Sequence, residues 1–129
     1  MRCILIIEDD SELREELVEM ASALGADAIG ARNGDEARAA CGASVDVILC
    51  DYKLGSENGL DVLRSLRAGR LSADKAPVAY LMTGHLDLTA AARQEIQTAT
   101  RGLFMKPLRA AVVRGIVLDA QFNADRDRC

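Results

Sequence analysis

The chain has 129 residues, half of them apolar and 28% charged, with a net charge of −4. That is the length of one domain with enough apolar residues for a core, and the acidic balance excludes the basic footprint of a nucleic-acid binder. No apolar run approaches the roughly 18 residues that a membrane span needs, and the first strand leads straight into charge, unlike a signal peptide.

Cys3, Cys41, Cys50 and Cys129 contain no Cys-x-x-Cys pair, and His85 is the one histidine, a set that argues against structural zinc. The expected compartment is the cytoplasm, where Cys3 and Cys50, each inside an apolar run, stay reduced as buried thiols.

Residues 3–7 are an apolar run that stops at Glu8-Asp9-Asp10. Ser11 is the expected N-cap of a first helix, with Leu13, Leu17, Met20, Ala21 and Leu24 at helical spacing and Gly25 as its C-terminal stop. Residues 26–31 read as a short, weak strand. Asn33 followed by Glu36 has the pattern of a capping box and opens a second helix, with Ala37, Ala40 and Cys41 as a small apolar face. Residues 45–50 form a strand with little alternation, as expected where both faces are covered, and it stops at Asp51. Residues 51–58 read as a loop, 59–68 as a third helix with Leu60, Leu63 and Leu66 on its inner face, and 70–76 as a polar connection. A fourth strand starts at Pro77, where a missing N–H is tolerated, and stops at Thr83. An Ala/Thr-rich fourth helix over 88–98 and a fifth strand over 102–105 follow, the strand ending in Lys106-Pro107. Val112, Val113, Ile116, Val117 and Ala120 give the last helix an apolar stripe. Residues 123–129 read as a polar tail.

Strand and helix patterns alternate, which implies a parallel sheet with helices on both faces. Open sheets of that kind bind ligands beyond the carboxyl ends of their strands. A carboxylate cluster, a lone carboxylate, a hydroxyl and an ammonium would then meet at one edge. Each has a plainer reading alone. The acidic run suits a helix N-terminus, Asp51 suits a turn, Thr83 suits a cap, and Lys106 suits an exposed surface.

Taken in order, Glu8-Asp9 after the first strand, Asp51 after the third, Gly59 eight residues later, Thr83-Gly84 after the fourth and Lys106-Pro107 after the fifth resemble the receiver domain of two-component response regulators. The resemblance runs from residue 2 to about residue 120. It implies a flavodoxin-like (βα)5 fold whose central parallel sheet has five strands in the order 2-1-3-4-5, with a receiver domain over 1–122 and the tail over 123–129. It implies that Asp51 accepts a phosphoryl group from a histidine kinase or a histidine phosphotransfer protein. Mg2+ would be held by Asp9 directly, by Glu8 through water, by Asp51 and by the backbone carbonyl of Lys53. Thr83 would hydrogen-bond the acyl phosphate, Lys106 would pair with one of its oxygens, and the Lys106-Pro107 peptide would be cis.

The chemistry asks for the same residue types. An aspartate nucleophile is already ionised at neutral pH. Phosphoryl transfer needs positioning and charge neutralisation rather than acid–base work. Mg2+ is held by few carboxylates and keeps several waters. No nucleotide-binding glycine loop is present, and a donor that brings an activated phosphoryl group makes one unnecessary.

Three features depart from the family's pattern. Leu103 stands where the family usually has Tyr or Phe, and Phe104 points to the opposite face of the strand. Gly55 stands where a proline is usual. The fourth helix, on the usual signalling face, is weakly patterned. Lys53 and His85 flank the expected phosphate position and are expected to tune how fast water reaches it. The leading reading is a phosphorylatable signalling domain whose only chemistry is accepting a phosphoryl group and slowly hydrolysing it. Its expected partners are a phosphohistidine donor and an unidentified downstream protein, with neither nucleic acid nor membrane; a homodimer stays open. So does the choice between a stand-alone receiver and part of a larger kinase. Two further readings stay open: a receiver-like interaction module that is never phosphorylated, and a Mg2+-dependent phosphatase with an aspartyl nucleophile. The phosphatase is disfavoured because Lys53 stands where such enzymes place a second Asp.

Overall fold

The computed structural model describes residues 3–40, 45–68, 77–84 and 88–126, with side chains described to residue 120. The elements in chain order are β1 (Cys3–Ile7), α1 (Ser11–Ala23), β2 (Asp27–Ala31), α2 (Gly34–Ala40), β3 (Val47–Asp51), β4 (Lys53–Leu54), β5 (Glu57–Asn58), α3 (Gly59–Ala68), β6 (Val78–Thr83), α4 (Ala90–Ala99), β7 (Gly102–Met105) and α5 (Ala110–Arg126). Five strands make one parallel sheet in the order β2-β1-β3-β6-β7. Without the small β4–β5 hairpin, that is the expected order 2-1-3-4-5.

Every residue of β1 and β3 is buried, which is why these strands read as unbroken apolar runs. Successive side chains go to opposite faces. Leu5, Ile7, Ile48, Cys50 and Leu81 pack with Ala37 of α2, Leu63 and Leu66 of α3 and Ile96 of α4. Ile4, Ile6, Val47, Leu49 and Met82 pack with Leu17 and Ala21 of α1 and with Val113, Ile116 and Val117 of α5. Each Val, Leu, Ile or Met side chain among these contributes about 2 kcal/mol through burial. The two layers hold the sheet rigid, so the positions of its strand ends are well defined. Among the described residues no helix is long and apolar enough to cross a membrane.

Several boundaries differ from the sequence reading. Asp10, not Ser11, caps α1: its Oδ1 accepts the N–H groups of Glu12 at 3.0 Å and Leu13 at 3.3 Å. Both residue types cap well, and the chain turns into the helix one residue earlier than expected. α1 ends with Leu24 as its C-cap, and Gly25 follows at φ 92, the left-handed position after a helix that glycine fills without a Cβ penalty. α4 starts at Ala90 rather than 88 because Thr89 is its N-cap, the hydroxyl accepting the Ala92 N–H at 3.0 Å. The expected loop 51–58 contains the β4–β5 hairpin. α5 continues to Arg126, through part of the stretch read as a tail. Asn33 Oδ1 accepts the Glu36 N–H at 2.9 Å, as an N-cap does, but Glu36 Oε1 accepts the Arg32 N–H at 3.0 Å, one residue before the Asn33 N–H that a capping box would use. Cys41, Cys129 and the 70–76 connection lie outside the described residues.

Candidate functional site

The carboxyl ends of β1, β3, β6 and β7 lie along one edge of the sheet, and the chemistry-bearing residues follow directly. Glu8 succeeds β1 and is fully buried. Its backbone N–H donates to the Ala31 carbonyl at 2.9 Å, and its own carbonyl accepts from Arg14 Nη1 at 2.9 Å. Asp51 is the last residue of β3 and is buried. Thr83 ends β6 and is buried, and its carbonyl accepts the Lys106 N–H at 2.8 Å. Lys106 directly follows β7, and the Lys106–Pro107 peptide after it is cis.

The Lys106 ammonium lies between two carboxylates, 2.5 Å from Glu8 Oε1 and 2.8 Å from Asp51 Oδ2. Asp9 is exposed at the mouth, and one oxygen each of Glu8, Asp9 and Asp51 lie within 4.8 Å of one another. Burial pushes the Glu8 carboxyl up to about 7, with the neighbouring Asp51 adding to the rise and Lys106 opposing it. Burial alone would lower Lys106, but its bonds and attraction to Asp51 and Glu8 outweigh that and hold it above the ordinary lysine value. Burial also pushes the Cys50 thiol up, leaving it protonated and unreactive.

This donor set fits a hard divalent cation. All its ligand atoms are oxygens, three carboxylates lie beside the Lys106 ammonium, and among the described residues Glu8 Oε1 has no hydrogen bond of ordinary geometry, only the Lys106 contact. Mg2+ takes such oxygens at a site that keeps several waters.

The remaining expected residues divide. Lys53 is adjacent, its backbone N–H 3.4 Å from Asp51 Oδ1 and its side chain exposed. His85 lies outside the described residues. Leu103 packs against the Ile96 side of the sheet, whereas Phe104 lies on the other side, its ring centroid 5.3 Å from that of Tyr80 with a 32° tilt. Phe104 therefore does not occupy the place of the missing aromatic. The Tyr80 hydroxyl donates to Asp119 of α5. Burial first and Asp119 second push the phenol up to about 12.

Gly59 enters the sequence reading only through its spacing from Asp51, and its physical role comes from the fold; no sequence pattern marks Arg14. Gly59 opens α3 so close to β3 that a Cβ there would lie 2.1 Å from the Asp51 carbonyl oxygen; its N–H donates to the Tyr52 carbonyl at 2.7 Å. Arg14 braces Glu8 from α1. The β4–β5 hairpin did carry a signal: Gly55-Ser56 is a two-residue turn, and Gly55 supplies the φ of 61 that such turns ask of their first residue.

A family model described as the response regulator receiver domain matches residues 4–117. Among curated proteins, the transcriptional regulatory protein CpxR of Klebsiella pneumoniae subsp. pneumoniae (strain HS11286) is 37% identical over 67 residues, which is 52% of this chain and 29% of that protein. CpxR of Escherichia coli (strain K12) is 36% identical over 67 residues. The match thus spans under a third of those relatives' length. Among solved structures, a CheY-like response regulator receiver domain from Methylobacillus flagellatus superposes with a TM-score of 0.78 at 25% identity, over 93% of this chain and 98% of that one. A response regulator receiver domain protein from Clostridium thermocellum has the same fold, with a TM-score of 0.76 at 21% identity over 99% of this chain and 98% of that one.

Proposed function

The chain belongs to the response regulator receiver domain family, and from that membership we propose that Asp51 accepts a phosphoryl group from a phosphohistidine donor and that the phosphorylated domain changes its affinity for a downstream protein. The observation that carries the reading is the Lys106 ammonium, 2.8 Å from Asp51 and 2.5 Å from the buried Glu8. A fixed positive charge beside a strand-end carboxylate is what an incoming phosphoryl group needs.

In this reading an Asp51 carboxylate oxygen forms a bond to phosphorus as the donor's N–P bond breaks, and the departing imidazole nitrogen takes a proton from solvent. Lys106 turns from the carboxylates to a phosphoryl oxygen. The Thr83 hydroxyl, at the neighbouring strand end, donates to another. Asp9, Asp51 and the Lys53 carbonyl would hold Mg2+, with Glu8 acting through water. When bound, the ion offsets the negative charge of the carboxylates and the phosphoryl oxygens. Hydrolysis returns the carboxylate and releases inorganic phosphate, with Lys53 and His85 as the residues that set water access. The donor is a histidine kinase or a histidine phosphotransfer protein.

The test is intact mass after incubation with Mg2+ and acetyl phosphate. The expected result is one added phosphoryl group in the wild type and none in Asp51→Asn. No addition to the wild type would favour the interaction module instead.

A further inference from the structure

The hairpin that carries Lys53 is anchored from outside its own segment. Leu54 pairs with Glu57 and Lys53 with Asn58 across the Gly55-Ser56 turn. Gly55 in that turn, at φ 61, is the least restrained residue type for its backbone. The Glu57 carboxylate leaves the hairpin and accepts the Gly34 N–H at the start of α2 at 3.0 Å, across 23 positions of sequence. Its second oxygen lies 2.6 Å from where a Gly34 Cβ would stand, so the carboxylate sits in the space that glycine leaves open. Gly34 follows β2, whose last residue, Ala31, accepts the Glu8 N–H. The contact thus joins the hairpin beside Asp51 to the chain segment bonded to the Glu8 end of β1.

We propose that Glu57 is a positioning residue for the cation site, latching the β4–β5 hairpin to α2 so that the Lys53 backbone is held at a set distance from the Glu8, Asp9 and Asp51 carboxylates. This rests on the receiver reading above, because the Lys53 carbonyl matters only if it helps to hold Mg2+. Residues that orient metal ligands without touching the metal commonly control affinity. The latch needs an acceptor oxygen on a side chain of that length, not a charge.

The test uses the whole chain. Mg2+ affinity is measured by calorimetry, and phosphoryl uptake from acetyl phosphate is followed as a function of Mg2+ concentration. Glu57→Ala is expected to weaken Mg2+ binding about tenfold, with the uptake rate recovered at saturating Mg2+. Glu57→Gln keeps an acceptor for the Gly34 N–H and is expected to bind Mg2+ as the wild type does. Gly34→Ala, which displaces the carboxylate from the other side, is expected to reproduce the Glu57→Ala defect, and the double variant to add nothing to it. Unchanged Mg2+ affinity in Glu57→Ala beside a wild type that takes up phosphate would overturn the latch and leave the receiver reading intact. A Glu57→Gln defect as large as that of Glu57→Ala would also overturn it, since charge would then matter rather than the bond. A wild type that neither binds Mg2+ nor takes up phosphate would overturn the receiver reading itself, and the latch with it.

Discussion

Glu8 and Lys106 decide the electrostatics of the site. The folded state raises the Glu8 carboxyl from 4.5 to about 7, chiefly through burial. Its protonated form is therefore the one that folding favours. The stability it contributes is full below the unfolded value near 4.5 and is lost as pH rises through about 7. A divalent cation favours the ionised form, so Mg2+ affinity is expected to climb with pH up to about 7 and then level off, with proton release on binding below that point. Calorimetry in buffers of different ionisation heat measures the released proton, and Glu8→Gln is expected to abolish it. Lys106 is the counter-charge to both buried carboxylates. Lys106→Ala is expected to lower metal-free stability by about 2 kcal/mol, less than for a fully enclosed pair because the Lys106 side chain is itself partly exposed. Urea unfolding with and without Mg2+ checks this, and added Mg2+ is expected to recover most of the loss.

The elements place these groups by backbone contact as well as by sheet order. α3 starts against the end of β3, and a methyl at Gly59 would meet the Asp51 carbonyl oxygen at 2.1 Å. Backbone cannot yield as the tip of a side chain can, so Gly59→Ala is expected to cost about 3 kcal/mol and to slow phosphoryl uptake by displacing Asp51. Thermal unfolding and uptake kinetics measure the two effects, and a variant as stable and as fast as the wild type would contradict the assignment. Gly59 could be found in the sequence only as part of a spacing; its physical reason needed coordinates. The strands were legible because burial on both faces leaves unbroken apolar runs such as 3–7 and 45–50. The start of α4 was not, because Ala and Thr give its first turn no apolar stripe to mark where it begins. Asp10 and Ser11 are both good caps, so composition could not choose between them. The Glu57–Gly34 and Arg14–Glu8 contacts depend on how segments distant in sequence are brought together, and no periodicity records that.

At the scale of the whole molecule, the parallel sheet brings four strand ends to one edge and its two packed layers keep them there. This is why separate residues at 8, 9, 51, 83 and 106 could be read as one pocket before any coordinates. The path from that pocket to a partner surface was less legible. Leu103 and Phe104 lie on opposite sides of β7, and the Phe104–Tyr80 stack leads toward Asp119 of α5 rather than toward α4. In the proposed function everything depends on Asp51 as the residue that carries the phosphoryl group. The measurement that tests it most directly is borohydride reduction of the protein after treatment with Mg2+ and acetyl phosphate, followed by peptide mapping, because hydride converts an aspartyl phosphate to homoserine. Homoserine at position 51 alone is the expected result. Homoserine at another position, or phosphorylated protein with none at 51, would contradict it.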